Sequence, residues 1–232
     1  MIFKFLLIEP STPGNVGAAA RAIKTMGFDQ LCLVNPCEYL SGEAQWLAHG
    51  SIDILEKAEV YPSFDVAIEG LDFVIGTTAK QRSVKEDYLP LNGMKKILEN
   101  KCNSIEKVGI IFGREDSGLR NEELKKCDLV STIPLKAPYP SLNLAQSVML
   151  YAYELSGLTS NKNSNSFNEQ ESLAALKTKV EILLQHIGMK EESNIYPRIL
   201  ERLMFLSDTD VHLLHSICNK LDEKYTIYPK NK

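Results

Sequence analysis

Residues 133–146 read IPLKAPYPSLNLAQ and join an apolar strand-like run at 129–133 to a helical segment that ends near residue 158. The three prolines in this connection fix φ and cannot donate to a strand ladder, so the connection is stiff. Ser141 is predicted to cap the helix, because its hydroxyl can accept a hydrogen bond from the helix N-terminus. A strand end, a rigid loop and a helix N-terminus in this order are typical of a ligand-binding turn in an α/β protein.

Outward from this stretch, apolar runs typical of buried strands alternate with amphipathic helical runs. Asn15 and Asn121 are predicted to cap two of the helices, and Gly27 to end the first of them. The alternation predicts an α/β fold, a parallel sheet with helices on both faces. The predicted strands are 3–8, 31–34, 73–77, 108–112 and 129–133, and the predicted helices 15–26, 41–50, 64–71, 89–100, 122–126 and 141–158, with 54–60 either a strand or a turn.

The chain after residue 158 has a different composition. Residues 159–168, TSNKNSNSFN, hold almost no apolar side chains and predict a flexible linker. Beyond them, apolar residues recur at helical spacing and predict three short helices, with breaks at Gly188 and Pro197. We therefore expect a core domain at 1–158, a linker at 159–168 and a small C-terminal helical extension at 169–232.

Composition limits the class of protein. The 232 residues suit one ordinary domain with a small appendage, and 44% hydrophobic residues can form a sizeable core. No apolar run reaches the roughly 18 residues of a membrane span, and the apolar start is too short for a signal peptide. The five cysteines show no CxxC spacing, which favours reduced thiols in the cytoplasm over disulfides or zinc.

Charge and motifs narrow the chemistry further. The net charge of −4 does not favour nucleic-acid binding, so an RNA footprint would have to be a local basic patch. No GxGxxG follows the first strand and no GxxxxGK[ST] is present, which argues against a dinucleotide-binding or P-loop enzyme. His212 and His215 lie three apart on a predicted helix without further ligands, so we expect no metal site. The candidate basic patches are Lys80, Arg82 and Lys85, and Lys177, Lys179, Arg198 and Arg202.

Two further stretches agree with the first: residues 13–21, PGNVGAAAR, and residues 110–119, IIFGREDSGL. Together with SLNLA at 141–145, they resemble in order and spacing the three motifs of the SPOUT-class, TrmH-like RNA 2′-O-methyltransferases. The resemblance covers most of residues 1–158 and is strongest to the group that methylates the ribose of tRNA nucleotide 32 in the anticodon loop. It implies a deep trefoil knot, which periodicity alone does not predict.

The resemblance also implies S-adenosylmethionine as the cofactor. Its flat adenine needs an apolar slot edged by backbone N–H and C=O groups, and three loops at strand carboxyl ends are expected to form it. Gly113 would let the backbone approach the ligand closely. The cofactor-binding residues expected from these loops are Thr77, Thr78, Ala79, Gly113, Ile133, Pro140, Ser141 and Leu142.

The motif match assigns Arg21 to the ribose hydroxyl. A guanidinium stays protonated, so we expect Arg21 to clamp the adjacent phosphate and stabilise developing alkoxide charge while the proton passes to phosphate or water. Asn15 could instead cap its helix, and Glu115 could pair with Arg21 or Arg114 to orient them. The expected catalytic residues are Arg21, Asn15, Glu115, Ser141 and Asn143.

In this family the pocket lies at a two-fold interface, so we expect a homodimer in which Arg21 acts within its own subunit or across to the partner. The slim face at 18–20 and the last core helix would suit such an interface. The partner molecule is expected to be tRNA. The alternatives are methylation of ribosomal RNA or of tRNA nucleotide 34, a non-catalytic knotted RNA-binding protein, and an unrelated small-molecule α/β enzyme.

Overall fold

The computed structural model describes residues 1–136, 142–158 and 168–228. By its internal contacts the chain divides into two compact units, one of Met1–Lys95 with Lys107–Lys162 and the other of Lys96–Glu106 with Asn163–Lys232. Pro140, Ser141 and all but the last residue of the predicted linker lie outside the described residues. The division at 1–158, 159–168 and 169–232 stays a prediction.

The first unit is built on a parallel sheet, as the alternation of runs predicts. Its seven described strands lie in the order β3-β2-β1-β6-β4-β7-β5, and every pair of neighbours is parallel. Phe5, Leu6 and Leu7 are all fully buried, so helices cover both faces of the central strand β1. The strands are β1 (Ile2–Ile8), β2 (Gln30–Val34), β3 (Glu59–Tyr61), β4 (Phe73–Thr77), β5 (Tyr88–Pro90), β6 (Lys107–Phe112) and β7 (Leu129–Thr132).

Most helices of this unit begin or end a few residues from their predicted bounds, and one strand was missed. The run at 54–60 divides into a helix and β3, and residues 88–90 form β5 at the edge of the sheet, where a proline is tolerated. The helices are α1 (Pro13–Thr25), α2 (Gly42–Ala48), α3 (Ile52–Glu56), α4 (Phe64–Ile68), α5 (Leu91–Glu99), α6 (Asn121–Lys126) and α7 (Leu144–Leu155).

The predicted caps of three helices were wrong. Asn15 lies inside α1, which begins at Pro13 because proline needs no N–H partner in a first turn. The cap of α6 is Arg120, one residue before the predicted Asn121. The cap of α7 is Asn143, whose side chain accepts a hydrogen bond from the backbone of Ala145 at 2.8 Å. Ser141, the predicted cap, therefore precedes the helix by more than one residue.

Helices α1 and α2 pack closely through glycine. A Cβ on Gly17 would lie 2.0 Å from the carbonyl oxygen of Ala44, and a Cβ on Gly14 would lie 2.6 Å from the Glu43 side chain. Since backbone atoms cannot approach this closely past a methyl group, Gly17 lets the two helices lie side by side. The contact anchors α1, which carries two of the expected catalytic residues, Asn15 and Arg21.

An aromatic row holds α7 on the sheet. Phe5 on β1 stacks with Phe112 on β6 at 6.4 Å between ring centroids, and Phe112 meets Tyr151 of α7 edge to face at 5.4 Å. Phe112 and Tyr151 are almost fully buried. The row fixes the middle of α7, at Tyr151, against the carboxyl end of β6.

The second unit contains the three predicted C-terminal helices, α8 (Leu173–His186), α9 (Ile195–Leu203) and α10 (Asp208–Tyr225). Gly188, with φ of 77°, follows the end of α8 as predicted. Pro197 was expected at a break, but it lies in the first turn of α9, where its missing N–H costs nothing. Across the described ranges of the chain, no helix is both long and apolar enough to cross a membrane.

A buried histidine joins α8 to α10. His215 is 3% exposed, with Nε2 3.0 Å from the Ser172 carbonyl oxygen and Nδ1 3.2 Å from Nζ of Lys179. Because a carbonyl can only accept, Nε2 carries the proton and Nδ1 accepts from the lysine. Burial lowers the pKa of His215, and the Lys179 ammonium lowers that pKa further despite the nearby Glu171 carboxylate.

Gly17→Ala tests the close packing of α1 on α2. By helix propensity alone the change would stabilise by about 1 kcal/mol. The methyl group must instead displace the Ala44 backbone, so we expect a loss of about 1–3 kcal/mol in the free energy of unfolding. Urea unfolding followed by far-ultraviolet circular dichroism measures it. Gly42→Ala is the matched control, since a Cβ there meets nothing within 4 Å, and an equal loss in both variants would contradict the packing argument.

The His215 contacts predict acid sensitivity in the second unit. An unfolded histidine has a pKa of about 6.5, and the native pKa is lower, so below about pH 6.5 the unfolded state takes up a proton that the native state refuses. Stability is then lost as pH falls, by up to about 1.4 kcal/mol per pH unit. Hydrogen exchange of α10 between neutral and mildly acidic pH measures this slope. His215→Gln should flatten it and the exposed His186→Gln should not; an unchanged slope in His215→Gln would count against this origin.

Candidate functional site

Three loops that the sequence singles out meet at one edge of the sheet. Parallel strands all end at the same edge, and β6, β4 and β7 are neighbours in the order found. Thr77 at the end of β4 lies in register with Ser131 of β7, and the Thr78 N–H donates to the Ser131 carbonyl at 3.0 Å. Residues 77–79, Gly113 and Ile133 therefore begin adjacent loops, which is the arrangement that a cofactor slot at strand ends requires.

Glu115 gathers the segment after β1 to the loop after β6. Its Oε2 accepts from the backbone N–H of Ser11 at 3.0 Å and from the Ser11 hydroxyl at 3.1 Å. Its Oε1 accepts from the Thr12 N–H at 3.2 Å and from the Asn15 side-chain amide at 3.3 Å. Burial raises the pKa of Glu115, but these hydrogen bonds outweigh it, so the pKa lies below its usual range. The carboxylate is thus held ionised, with both oxygens engaged.

Asn15 extends this cluster to α7. The Asn143 side-chain amide donates to Oδ1 of Asn15 at 2.8 Å, while Oδ1 of Asn143 caps α7. Gln146 completes the capping box by accepting from the Asn143 N–H at 3.2 Å. Each amide of the chain Glu115–Asn15–Asn143 therefore has a fixed orientation, because donors and acceptors alternate along it. Three of the five expected catalytic residues, one from each motif, form one hydrogen-bonded group.

Arg21 does not join this group. It is exposed on α1 and makes no hydrogen bond or ion pair with another described residue. It lies six residues beyond Asn15, which is about 9 Å along the helix axis. The expected pairing of Glu115 with Arg21 or Arg114 was wrong, since Glu115 is engaged by Ser11, Thr12 and Asn15. Arg21 is therefore a solvent-facing guanidinium on the same helix as Asn15 but outside the hydrogen-bonded group, and Ser141 lies outside the described residues.

Arg114 forms a second network that the sequence did not reveal. Its guanidinium binds Glu9 through Nε at 2.8 Å and Nη2 at 2.6 Å, and Glu123 through Nη1 at 3.0 Å and Nη2 at 2.9 Å. The two bidentate pairs raise the pKa of Arg114, and its hydrogen bonds lower the pKa of Glu9. The side chains of Arg114 and Glu123 are each 10% exposed. The backbone of Glu9 has a φ of 46°. This conformation costs energy in non-glycine residues.

Gly113 is required by its own loop. A Cβ there would lie 2.1 Å from the carbonyl carbon of Gly118 and 2.2 Å from the Leu119 nitrogen. The loop closes on itself, with the Gly118 N–H donating to the Arg114 carbonyl at 2.9 Å. Arg82 holds it from outside by donating to the carbonyls of Leu119 at 2.8 Å and Ser117 at 3.0 Å. The close approach expected toward a ligand is thus observed toward the loop itself, and the role of Gly113 toward a cofactor stays a prediction.

The other expected cofactor residues lie at the described edge. Thr77, Thr78, Ile133 and Leu142 are half-buried and Ala79 is exposed. The Thr78 hydroxyl donates to the Lys80 carbonyl at 2.8 Å and shapes the loop after β4. Ile133 and Leu142 keep apolar surface outside the core, which an adenine slot needs. Pro140 lies outside the described residues.

Both basic patches are partly used for internal contacts. Arg82 holds the loop after β6, Lys179 binds His215 and Asn219, and Arg198 binds Glu201 at 3.2 Å. An ion pair or internal hydrogen bond reduces the charge that a phosphate can meet, so neither patch is a free basic surface. Nowhere in the described ranges do three or more His, Cys, Asp or Glu side chains form a group that could hold a metal ion.

The chain is similar over its whole length to known methyltransferases. Residues 3–153 match the SpoU rRNA Methylase family and residues 170–225 match the C-terminal domain of the tRNA/rRNA methyltransferase LasT. LasT of Escherichia coli, an uncharacterized tRNA/rRNA methyltransferase, is 35% identical over 97% of this chain and 100% of its own length. TrmJ of Methanocaldococcus jannaschii, a tRNA (cytidine-2′-O-)-methyltransferase, is 38% identical over 80% of this chain and 79% of its own.

A solved structure shows the same fold. The crystal structure of a probable methylase family protein from Haemophilus influenzae is 33% identical and superposes with a TM-score of 0.66 over 97% of each chain. The strand order and the C-terminal helices of this protein therefore follow a known architecture. This resemblance agrees with the family expected from the three motifs.

Glu115→Gln tests the carboxylate that gathers the three segments. A carboxamide keeps the shape but presents an NH₂ to donors on Ser11, Thr12 or Asn15, so at least one hydrogen bond to a charged acceptor is lost. We expect a loss of about 1–3 kcal/mol in unfolding free energy and faster hydrogen exchange at residues 9–15. Asp116→Asn is the matched control, because it removes the same charge from the neighbouring exposed residue. Equal exchange rates in the two variants would show that Glu115 does not hold this segment.

Proposed function

The chain belongs to the SpoU rRNA methylase family, and from this we propose that it transfers the methyl group of S-adenosylmethionine to a ribose 2′-hydroxyl of tRNA. The observation that carries the proposal is the hydrogen-bonded group Glu115–Asn15–Asn143, which joins one residue from each motif next to the three adjacent strand-end loops. The activity for which the M. jannaschii relative is named, 2′-O-methylation of tRNA, supports the substrate class.

The residues present fit the proposed cofactor. The loops after β4, β6 and β7 lie side by side, Ile133 and Leu142 offer apolar surface, and Thr77, Thr78 and Ala79 contribute backbone polar groups at the same edge. When bound, S-adenosylmethionine supplies an activated methyl group on a sulfonium sulfur. Pro140 and Ser141 complete the proposed slot by the motif match alone, as does the knot through which the chain would pass there.

The reaction asks the protein mainly to position groups. The ribose 2′-oxygen bonds to the methyl carbon as the carbon–sulfur bond breaks, and the hydroxyl proton leaves to phosphate or water. Asn15 and Asn143, held by Glu115 and by the α7 cap, present fixed amides to the ribose. Arg21 carries the free positive charge that clamps the neighbouring phosphate and stabilises negative charge on the attacking oxygen.

We place the active form as a homodimer. Arg21 projects into solvent within one chain, so a second chain can complete its surroundings. The alanine face expected in the interface is unsuitable, since Ala19 and Ala20 are fully buried within the chain. Helix α7 instead exposes Tyr153, 66% accessible, and Leu150, 37% accessible, which suit an apolar contact. Whether Arg21 serves its own subunit or the partner is decided by mixing an Arg21→Ala chain with a Glu115→Gln chain and measuring restored turnover.

Nucleotide 32 is our proposed target. It rests on the resemblance of the motifs and on the presence of the C-terminal unit, not on a contact in the structure. Incubation with a labelled methyl donor and bulk tRNA, followed by mapping of alkali-resistant bonds, decides catalysis and position together. Label at nucleotide 34 or in ribosomal RNA would change the assigned substrate to that RNA position. The absence of label in any RNA would favour a non-catalytic RNA-binding role.

Arg21→Ala should abolish turnover without weakening cofactor binding. Loss of one donor to developing oxyanion charge typically costs about 10²–10³ in kcat. S-adenosylhomocysteine at about 100 times its Kd should stabilise both wild type and variant by roughly 2.7 kcal/mol, measured as a thermal shift. Lys57→Ala, which removes an exposed cation elsewhere in the first unit, is the control. Unchanged turnover in Arg21→Ala would contradict the role proposed for Arg21. The absence of a thermal shift in the wild type would contradict the assignment of S-adenosylmethionine as the cofactor.

A further inference from the structure

A cavity of about 560 Å³ lies at the carboxyl ends of β2 and β3. Its volume falls within the range of about 300–1,000 Å³ typical of ligand pockets. The family motifs assign it nothing, and none of the expected site residues lines it. Its lining includes Asn35, Pro36, Cys37, Glu38, Tyr39, Val60 and Tyr61.

The cavity adjoins the Glu115 cluster. The lining residue Cys37 contacts the loop after β1, because its N–H donates to the Pro10 carbonyl at 3.0 Å. Ser11, the next residue, donates to Glu115. Tyr61 is in register with Val34, and Val34 with Ile8, so the cavity and the cluster lie along one row of strand ends. Neighbouring strands are about 4.8 Å apart, which brings β2 within roughly 10 Å of β6.

Carboxylates lie near the Cys37 thiol in the cavity lining. Burial raises the pKa of the Cys37 thiol, and the carboxylates of Glu115, Glu38 and Glu43 raise it further. Glu38 itself lines the cavity, so a phosphate there would meet a carboxylate. These surroundings favour a neutral occupant, in contrast to the phosphate-binding role proposed for Arg21.

The lining suits a flat, polar-edged ring. Tyr39, Tyr61 and Pro36 offer surfaces of the kind on which unstacked RNA bases pack. Asn35 Nδ2 donates to the Pro62 carbonyl at 3.1 Å. A carbonyl only accepts, so this contact leaves Oδ1 of Asn35 as an acceptor. The Asn35 oxygen and the Glu38 carboxylate can accept from the N4 amine of cytosine or the N3–H of uracil.

We propose that this cavity takes the base of the target nucleotide, a pyrimidine turned out of the RNA loop, while its ribose lies at the Glu115–Asn15–Asn143 group. The inference rests on the proposed function and adds to it the subsite that selects the base. The cofactor loops at β6, β4 and β7 lie on one side of the cluster and the cavity lies on the other. A nucleoside whose ribose faces the methyl donor must direct its base away from the cofactor, which is toward β2 and β3.

Filling the cavity tests the proposal. Val60 is 51% exposed on the edge strand β3 and lines the cavity, so Val60→Trp occupies it without disturbing the core. We expect kcat/KM for tRNA methylation to fall by about tenfold or more, the scale of losing one stacked base, with the thermal shift by S-adenosylhomocysteine unchanged. Val66→Trp is the matched control, since Val66 is 40% exposed on α4 and lies outside the cavity lining. Equal kcat/KM in the two variants would overturn the proposal.

A second experiment reports occupancy without turnover. In a Cys102→Ser chain, Cys37 is the accessible thiol, because Cys32, Cys127 and Cys218 are buried. Iodoacetamide reacts with the thiolate, so the basal labelling of Cys37 is slow and its rate is followed by mass spectrometry over an extended time course. An anticodon stem-loop RNA at about ten times its Kd should lower that rate roughly tenfold. The same RNA with an abasic ribose at nucleotide 32 should not slow it.

The outcomes separate the two proposals. Protection by the intact RNA alone supports the base subsite even where no methyl group is transferred, in which case the proposed function fails and the cavity stands. Methylation of the intact RNA with equal labelling of Cys37 in all samples overturns the base subsite while the proposed function stands. Equal protection by the abasic RNA also overturns it, because the ribose and phosphates then account for the effect.

Discussion

The ion pairs of Arg114 are the interaction on which the site depends. One guanidinium binds Glu9, the residue that follows β1, and Glu123 of α6, so the ends of two neighbouring strands and a helix are held at one point. The Arg114–Glu123 pair is the more buried of the two, with each side chain 10% exposed, and breaking a buried pair typically costs about 3–5 kcal/mol. Arg114 and Glu115 are consecutive, so the ion pairs hold the backbone from which Glu115 projects. The carboxylate of Glu115 is engaged by Ser11, Thr12 and Asn15.

From that point the site is built by hydrogen bonds that satisfy each other. Glu115 accepts hydrogen bonds from the backbone N–H groups of Ser11 and Thr12 and from the Asn15 amide. Asn15 in turn accepts from the Asn143 amide, and Asn143 caps α7. Asn143 is thus both the cap of α7 and, with Glu115 and Asn15, part of a fixed polar group at the proposed ribose site. The first N–H groups of a helix need acceptors in any case. Here the acceptor at α7 is the Asn143 side chain, so the same hydrogen bond also fixes the orientation of that amide.

Charge is distributed along the sheet edge in a way that fits an RNA substrate despite the net charge of −4. The carboxylates of Glu9 and Glu115 bind residues of neighbouring loops. Some cations of the two predicted patches, such as Arg82 and Lys179, also make internal contacts. Arg21 remains as an exposed cation on α1. In the proposed complex, RNA would be held by a few local cations and by the shape of the cavity at β2 and β3.

The sequence by itself determined the fold class and the order of the elements. Runs such as 3–8 and 108–112 are apolar throughout because both faces of a central parallel strand are buried, and that constraint is local enough to be read from residue types. It also singled out Asn15, Glu115 and Asn143, since three separated blocks agree with a known family.

Only the tertiary structure decided which groups touch. The partner of Glu115 is a backbone segment 104 residues away, and any of several arginines would have satisfied its charge equally well in the sequence. The cap of α7 is Asn143 and not the predicted Ser141, and the same side chain donates to Asn15, 128 residues away. Gly17 and Gly113 are required by neighbours that are distant or folded back. Such contacts depend on how packed elements meet in space, which spacing along the chain does not encode.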